Sequence, residues 1–266
     1  VDKRLMTLIE EERHHELLAK LEGVEGRPCG GGSAANTIVA AAQLGSDAFY
    51  SCRVAGDETG RFFLEDLHAN GVATNLDDGP LGSGVTGKCI VLVTPDAERS
   101  MNTFLGISAT IDSSALQPDV LRRANCLYIE GYLCSGEDSA ALAIACREHA
   151  EESGITTTLT LSDPAMVEFC KDNLVKIIGN GVDHIFCNEE EALAWAGTDR
   201  LDVAANELSD AAKSLSITLG ANGSYVVGRD GRREVSGFES KVVDTNGAGD
   251  IYAGASLWGW QQGMSA

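Results

Sequence analysis

The second half of the chain alternates short apolar runs with longer stretches in which apolar residues recur every three or four positions. Short runs of this kind are typical of buried strands, and the longer stretches have the spacing of amphipathic helices. From residue 125 onward the order is strand, helix, strand, helix, which predicts a mostly parallel, doubly wound α/β sheet. The predicted strands are residues 126–129, 156–161, 184–187 and 217–219, and the predicted helices are residues 140–152, 166–178 and 204–213.

The first half has a different order of segments. Two β-rich runs near its end are linked by Thr94-Pro95-Asp96 and predict a hairpin that forms a small β lid at roughly residues 82–106. We predict one α/β domain over residues 1–266. The predicted elements before it are helices at 5–22 and 33–44, the second with Ser33 as N-cap, a strand at 47–54, a helix at 58–70 and the β-rich runs 88–94 and 99–105.

The charge balance limits the partners of the protein. Twenty Lys and Arg residues stand against forty Asp and Glu residues, a formal net charge of −20, and no basic run interrupts it. Nucleic acid and anionic membranes are therefore excluded as partners of the surface as a whole. A small anion such as a nucleotide can still bind, because local amides and cations act within a Debye length of ~8 Å.

Cysteine usage and hydropathy predict a cytoplasmic location. Eight cysteines are spread along the chain and no two form C-x-x-C, so we expect reduced, buried thiols. No apolar stretch of ~18 residues and no signal-peptide pattern is present.

The most informative stretch is residues 244–250, Asp-Thr-Asn-Gly-Ala-Gly-Asp, which follows a strand-like run at 241–243. Gly247 and Gly249 leave backbone amides open to an anion, and a helix that begins near Ala248 directs its positive end to the same point. Asp250 then stands beside the anion, where a carboxylate suits the role of a general base for a hydroxyl that attacks a phosphoryl group. The alternative is a glycine-rich turn that only starts a helix.

Residues 244–250 resemble the C-terminal signature D-T-x-G-A-G-D of the ribokinase family of carbohydrate and nucleoside kinases, the PfkB kinases. A second resemblance lies at residues 30–36, Gly-Gly-Gly-Ser-Ala-Ala-Asn. The family implies ATP and Mg²⁺ as cofactors, an anion hole at residues 247–249, and a monomer or homodimer. It also implies that Gly31, Gly32 and Asn36 hold the acceptor hydroxyls.

The resemblance assigns further residues to the nucleotide. Asn188 and Glu191 match an N-x-x-E spacing that organises the magnesium and phosphate region, with Glu191 acting on Mg²⁺ through water; the same spacing is also a helix-capping box. Thr218 and the backbone at Gly220 and Gly223 border ATP by this resemblance, or form only a turn between strands. Arg99 lies in an E-R-S context that resembles adenosine-kinase-like members, in which an Arg reaches the transferring phosphate.

Two features of residues 82–88, Gly-Ser-Gly-Val-Thr-Gly-Lys, imitate nucleotide-binding motifs. They contain both G-x-G-x-x-G and G-x-x-x-x-G-K. A P-loop needs Ser or Thr after the Lys, whereas Cys89 follows Lys88, and both motifs need a helix where a strand-like run stands. We therefore interpret this segment as the entry to the lid. Tyr132 and Phe104 are candidates for stacking on a base, although aromatic residues in such runs also form cores.

The chain departs from the family at both ends. Members begin with a strand that carries a sugar-binding Asp, whereas Asp2 here precedes a predicted helix, and Ala266 comes only sixteen residues after Asp250. We expect the N-terminal strand and the C-terminal segments of the full family domain to be missing.

Together these features predict an ATP-dependent kinase that phosphorylates the primary CH₂OH of an adenosine-like ribonucleoside. A sugar kinase of the fructokinase or ribokinase type is the first alternative. A catalytically inactive nucleoside- or nucleotide-binding regulator is the second, although its usual mark would be a replaced base and Asp250 is intact. A dinucleotide-dependent oxidoreductase is excluded, since no strand-G-x-G-x-x-G-helix unit exists.

Overall fold

A computed structural model describes residues 6–93, 99–228, 231–242 and 244–264. The helices are α1 Glu11–Lys20, α2 Ser33–Gln43, α3 Glu58–Ala69, α4 Pro118–Leu121, α5 Glu137–Glu152, α6 Pro164–Phe169, α7 Lys171–Ile178, α8 Glu189–Ala196, α9 Leu201–Leu208 and α10 Ala248–Gln261. The strands are β1 Met6–Leu8, β2 Ala48–Tyr50, β3 Val72–Thr74, β4 Thr86–Val93, β5 Arg99–Gly106, β6 Cys126–Ile129, β7 Thr156–Thr160, β8 His184–Asn188, β9 Leu215–Thr218, β10 Ser224–Gly228 and β11 Gly231–Val235.

The main sheet has six strands in the order β11-β10-β9-β8-β7-β6. Strands β6 to β9 pair in parallel, and β10 and β11 extend the sheet as antiparallel strands. Helical segments connect the parallel strands, since a parallel pair needs a crossover. The predicted mostly parallel α/β fold is confirmed.

Both faces of the main sheet are covered, as strand β8 shows. Ile185 and Cys187 belong to the largest apolar core, formed with residues of helices α5, α7, α8 and α9. Phe186, which alternates with them, packs on the other face against Ala253 and Leu257 of α10. Side chains alternate between the faces of a strand, so one apolar run fills two cores.

A small sheet in the order β1-β5-β4 lies apart from the main one. Its strands β4 and β5 pair antiparallel, from Thr86 with Gly106 to Val93 with Arg99, as expected for the predicted hairpin. The link Thr94-Pro95-Asp96 lies outside the described residues, and so does Asp2. Strands β2 and β3 form a further parallel pair beside α2 and α3.

Several predicted elements are wrong in detail. Residues 5–22 do not form one helix: Met6–Leu8 is a strand, because it pairs in parallel with β5, and helix α1 begins only at Glu11. No strand precedes the 244–250 motif at residues 241–242, and residue 243 is outside the described range. The predicted helix 166–178 is interrupted at Cys170, whose φ of −123° is not helical. Helix α9 ends at Leu208, earlier than predicted, because the chain turns back to bridge Ala212 with Val182.

The cysteine prediction holds in part. All eight cysteines are free thiols, and Cys52, Cys134 and Cys187 are buried. Cys29 and Cys89 are exposed, so the expectation of buried thiols is wrong for them. Within the described residues, none of the helices combines the length and apolar character that crossing a membrane requires.

His184 is buried between the main sheet and α10. Its ring lies 4.4 Å from Phe186 and 4.6 Å from Trp260, measured between ring centroids. Its two nitrogens lie 2.7 Å from the Ser214 hydroxyl and 3.1 Å from the Ser216 hydroxyl. Burial lowers the pKa of His184 from 6.5 to about 3, since a charged imidazolium would lose its hydration here.

We expect His184 to make stability depend on pH. Between pH 6.5 and about 3 the unfolded chain binds a proton that the folded chain does not, so the free energy of unfolding falls as pH drops, by up to about 1.4 kcal/mol per pH unit. Urea unfolding between pH 4 and 7 should show a shallower pH dependence for His184→Gln than for the wild type. The exposed His15→Gln is the control, and equal slopes for all three proteins would contradict the prediction.

Candidate active site

A large cleft opens at the carboxyl ends of the parallel strands, where open α/β sheets bind ligands. Its volume is about 1800 Å³, above the roughly 300–1,000 Å³ of a site for one small molecule. The predicted residues that line it are Gly31, Gly32, Asn36, Asn188, Glu191, Thr218, Gly247, Ala248, Gly249 and Asp250. The fold therefore brings the two separate motifs into one cleft.

Asp250 joins the two motifs directly. It lies in the first turn of α10, and its carboxylate accepts a hydrogen bond from the Ser33 hydroxyl at 2.8 Å and another from Asn36 Nδ2 at 2.9 Å. Ser33 is the first residue of α2, and Gly32 rather than Ser33 is the N-cap. The prediction of Ser33 as N-cap is therefore wrong, because its hydroxyl is bonded to the Asp250 carboxylate instead.

The contact between α2 and α10 fixes this arrangement. The helices run parallel, from the Ser33–Asp250 bond to a bond from the Ser46 hydroxyl to Gln261 at 3.0 Å. Between these points a Cβ added to Gly254 would lie 2.4 Å from the Thr37 carbonyl oxygen, so only glycine permits this approach. Both helix N-termini consequently point to one spot, where their partial positive charges favour an anion.

The glycine at the start of α10 has a backbone that other residues rarely adopt. Gly247 has φ 74°, in the left-handed region, and a Cβ there would lie 3.4 Å from Asn36 Nδ2 and 3.5 Å from Asp250 Oδ2. Helix α10 begins at Ala248 as predicted. The amide of Ala248 donates to the Thr245 carbonyl at 3.2 Å, whereas the first-turn amide of Gly249 has no helical acceptor.

Glu130 is a site residue that the sequence reasoning missed. It follows β6 directly, and its Oε1 accepts a hydrogen bond from the Ala34 amide in α2 at 3.1 Å. Burial, and then the charge of Asp250, raise the pKa of Glu130 to about 7, while the Ala34 amide lowers it. The signal was available: a carboxylate directly after a parallel strand lies at the ligand-binding edge of the sheet.

Comparison with known proteins decides the family. A model of the pfkB family carbohydrate kinases matches residues 5–266. The chain belongs to the pfkB family of carbohydrate kinases. An adenosine kinase of Sinorhizobium meliloti superposes with a TM-score of 0.91 at 34% identity, over 100% of this chain and 81% of that one. This similarity confirms the ribokinase-like fold.

Curated relatives within the pfkB family differ in substrate. The chain is 28% identical over 240 residues to fructokinase-1 of Oryza sativa, covering 85% of this chain and 72% of that protein. It is 26% identical over 233 residues to a bifunctional ribokinase/ribose-5-phosphate isomerase A of Fructilactobacillus sanfranciscensis, covering 85% of this chain but only 41% of that protein. Membership of the pfkB family sets the enzyme class as a phosphotransferase with an alcohol group as acceptor.

In this pfkB kinase fold, Asn188 and Glu191 form the capping box that was one of their two interpretations. Asn188 Oδ1 accepts from the Glu191 amide at 2.8 Å, and the two Glu191 oxygens accept from the Asn188 amide at 3.0 Å and from Nδ2 at 2.7 Å. Burial raises the pKa of Glu191 to about 7, with contributions from Asp163, Glu190 and Asp250. The capping box leaves the magnesium role of Glu191 as a prediction.

The chemistry of the cleft fits Mg²⁺. Burial raises the pKa of Tyr132, and the charges of nearby carboxylates raise it further. Three of these carboxylates, Glu130, Glu191 and Asp250, line the cleft. Bringing an anionic nucleotide there requires a cation between the charges, and carboxylate oxygens and water are the ligands that Mg²⁺ prefers. No group of three or more His, Cys, Asp or Glu side chains in the described ranges is arranged as a complete metal site.

The remaining predicted residues differ in position. Thr218 ends β9, pairs with Asn188 of β8 and lines the cleft. Gly220 and Gly223 lie in the tight turn between β9 and β10, outside the cleft lining, where the Leu219 amide donates to the Gly223 carbonyl at 2.8 Å. Arg99 begins β5, but its side chain lies outside the described residues. Phe104 packs against His14, with ring centroids 6.2 Å apart.

Residues 82–88 agree with their interpretation as an entry to the lid. Strand β4 begins at Thr86, where a P-loop or dinucleotide turn would need a helix. Two backbone amides of this segment are already used: Gly82 donates to the Val54 carbonyl at 3.1 Å, and Thr86 donates to Asp57 Oδ2 at 2.9 Å. A phosphate would have to displace these bonds.

We expect Gly254→Ala to reduce catalysis by separating α2 from α10. The added methyl group meets the Thr37 carbonyl, so Asp250 moves relative to Ser33 and Asn36, and a shift of this kind costs about 10- to 100-fold in kcat. Gly259→Ala on the same helix is the control, because its Cβ meets only the flexible Met264 side chain at 3.5 Å. Steady-state kinetics of both variants, with thermal unfolding alongside, test this. Equal kcat in the two variants would contradict it.

Proposed function

We propose that the protein is an ATP-dependent kinase that transfers the γ-phosphoryl group to the primary CH₂OH of a ribonucleoside, with an adenosine-like acceptor. One observation carries the proposal: Asp250, at the anion-binding end of α10, is hydrogen-bonded by Ser33 and Asn36 of the acceptor motif. The carboxylate is thereby held where an acceptor hydroxyl and a transferring phosphoryl group meet.

The chain's own residues supply the steps of this reaction. Gly31, Gly32 and Asn36 orient the ribose hydroxyls, and Asp250 takes the proton of the CH₂OH group as its oxygen attacks phosphorus. The amides at residues 247–249, with the positive end of α10, stabilise negative charge on the phosphoryl oxygens. Glu191 and Asn188 would hold Mg²⁺ through water, and the bound ion would neutralise charge on the nucleotide phosphates. Arg99 is proposed to reach the same phosphoryl group from the lid.

The small sheet supports a nucleoside rather than a sugar as the acceptor. Leu8, Cys89, Val91 and Met101 share one face of its three strands and line the cleft. Phe104, which packs against His14 on the other face, lines the cleft as well. An apolar wall opposite the polar acceptor motif fits a flat base on a ribose. Movement of the small sheet as a lid would exclude water, which otherwise competes as acceptor.

A sugar kinase is the second candidate. The observation that favours it is Glu130, a partly buried carboxylate bonded to the Ala34 amide within the acceptor motif. A free sugar offers more hydroxyls than a nucleoside, and a carboxylate accepts hydrogen bonds from them. An inactive nucleotide-binding regulator has no such support, because Asp250 is present and is held by two donors.

The substitution Asp250→Asn tests whether Asp250 is the general base. We expect kcat to fall by ~10²–10⁴ with nearly unchanged affinity for ATP, because the amide keeps the size of the side chain and cannot take a proton. Asp202→Asn is the control: Asp202 lies in the first turn of α9, as Asp250 lies in that of α10, but on the surface with Arg200. Near wild-type turnover by Asp250→Asn would exclude general-base catalysis by this residue.

The acceptor is tested by coupled ADP release with adenosine, inosine, ribose and fructose. Stacking and apolar contact of a base should favour adenosine over ribose by ~10-fold or more in kcat/KM. Val91→Asn should narrow this ratio, whereas Val93→Asn, two residues along the same face but outside the cleft lining, should not. Equal or better turnover of ribose or fructose by the wild type means that the acceptor is a sugar.

A further inference from the structure

Ser162 combines two unfavourable features in one residue. Its φ is 70°, and among the described residues it is the one non-glycine with a positive φ. Its hydroxyl oxygen is buried and makes no hydrogen bond within the described part of the chain. A serine in this backbone region costs on the order of 1–3 kcal/mol, and a buried hydroxyl without a partner adds to that cost.

The position of Ser162 connects these costs with the cleft. Side-chain atoms of Asn102, Arg147 and His149 are also buried without a partner, but only Ser162 of these four residues lines the cleft. Its amide is fixed by the Thr160 hydroxyl at 3.2 Å. The strain is therefore held by local bonds at the ligand-binding edge of the sheet.

Ser162 lies just past the carboxyl end of β7. Thr160 pairs with Phe186, and the Leu161 amide donates to the Phe186 carbonyl at 3.0 Å. The Asp163 amide donates back to the Leu161 carbonyl at 2.9 Å, so the chain turns at Ser162, within the cleft lining. The next residue, Asp163, acts on the pKa of Glu191, so Ser162 lies beside the same carboxylates that fit a magnesium nucleotide.

We propose that Ser162 is a binding residue for the magnesium-bearing phosphate end of the nucleotide. Its hydroxyl both donates and accepts, so it can bond to a phosphate oxygen or to a metal-bound water. Ser162 lines the cleft, and a bound nucleotide would supply the partner that its hydroxyl lacks among the described residues. This inference rests on the proposed kinase function.

Two substitutions separate the hydroxyl from the backbone strain. Ser162→Ala removes the hydroxyl and keeps a side chain at positive φ, whereas Ser162→Gly removes the hydroxyl and relieves the strain. We expect both to weaken Mg·ADP binding and to raise the KM for Mg·ATP by about 10-fold, the effect of one hydrogen bond to a charged group. The KM for the acceptor should stay within twofold.

Calorimetric titration with Mg·ADP measures binding without turnover. Steady-state kinetics with varied Mg²⁺, ATP and acceptor measure the KM for Mg·ATP and the KM for the acceptor. Ser209→Ala is the control, because that hydroxyl bonds to the Ala205 carbonyl at the end of α9, away from the cleft. Thermal unfolding should show Ser162→Gly to be at least as stable as the wild type.

The outcomes are distinct. A folded Ser162→Gly with wild-type affinity for Mg·ADP overturns the inference, and so does a KM change confined to the acceptor. If instead the wild-type protein phosphorylates none of the four acceptors but binds Mg·ADP in a Ser162-dependent manner, the proposed kinase function fails and the binding role of Ser162 stands.

Discussion

The close parallel packing of α2 on α10 is the constraint on which the site depends. The helices belong to parts of the chain more than two hundred residues apart, and each begins at the cleft with a motif of its own. Their backbones meet at Gly254, where the Thr37 carbonyl leaves no room for a side chain. One glycine at the interface thus sets the distance between the acceptor motif and the carboxylate that is proposed to take its proton.

Electrostatics sets the second constraint. A strongly acidic chain concentrates several carboxylates around the cleft, and burial raises the pKa of Glu130 and of Glu191 to about 7. The favourable terms for an anionic substrate are therefore local: two helix N-termini and the amides beside Asp250. The Mg²⁺ proposed above would lie between carboxylates and phosphates and would offset the remaining repulsion.

Strong local patterns made much of the fold predictable. The alternation after residue 125 gave β6 with its observed bounds, and the 244–250 motif gave the start of α10 at Ala248. The strand Met6–Leu8 was missed because three residues carry no clear period, and only pairing with β5 makes them a strand. The residues after this strand have helical spacing, so the predicted helix was extended back over Met6–Leu8.

Side-chain contacts between distant segments were less predictable. Ser33 has the character of an N-cap in sequence, yet its hydroxyl is bonded to Asp250, more than two hundred residues later. Glu130 could have been predicted, because it directly follows a parallel strand. The positive φ of Ser162 could not, because no glycine indicates it in the sequence. Tertiary context decides such residues, and local propensity does not report it.

The glycine contact between α2 and α10 also has a mechanical consequence. At Gly254 the two helices touch without a side chain of α10 whose rotamer could absorb a displacement, so we expect the pair to move as one rigid body. The acceptor motif and the base then travel together during any motion of the small sheet. Opening and closing the cleft would change the access of water and substrate, while the alignment of hydroxyl and carboxylate would persist through the whole cycle.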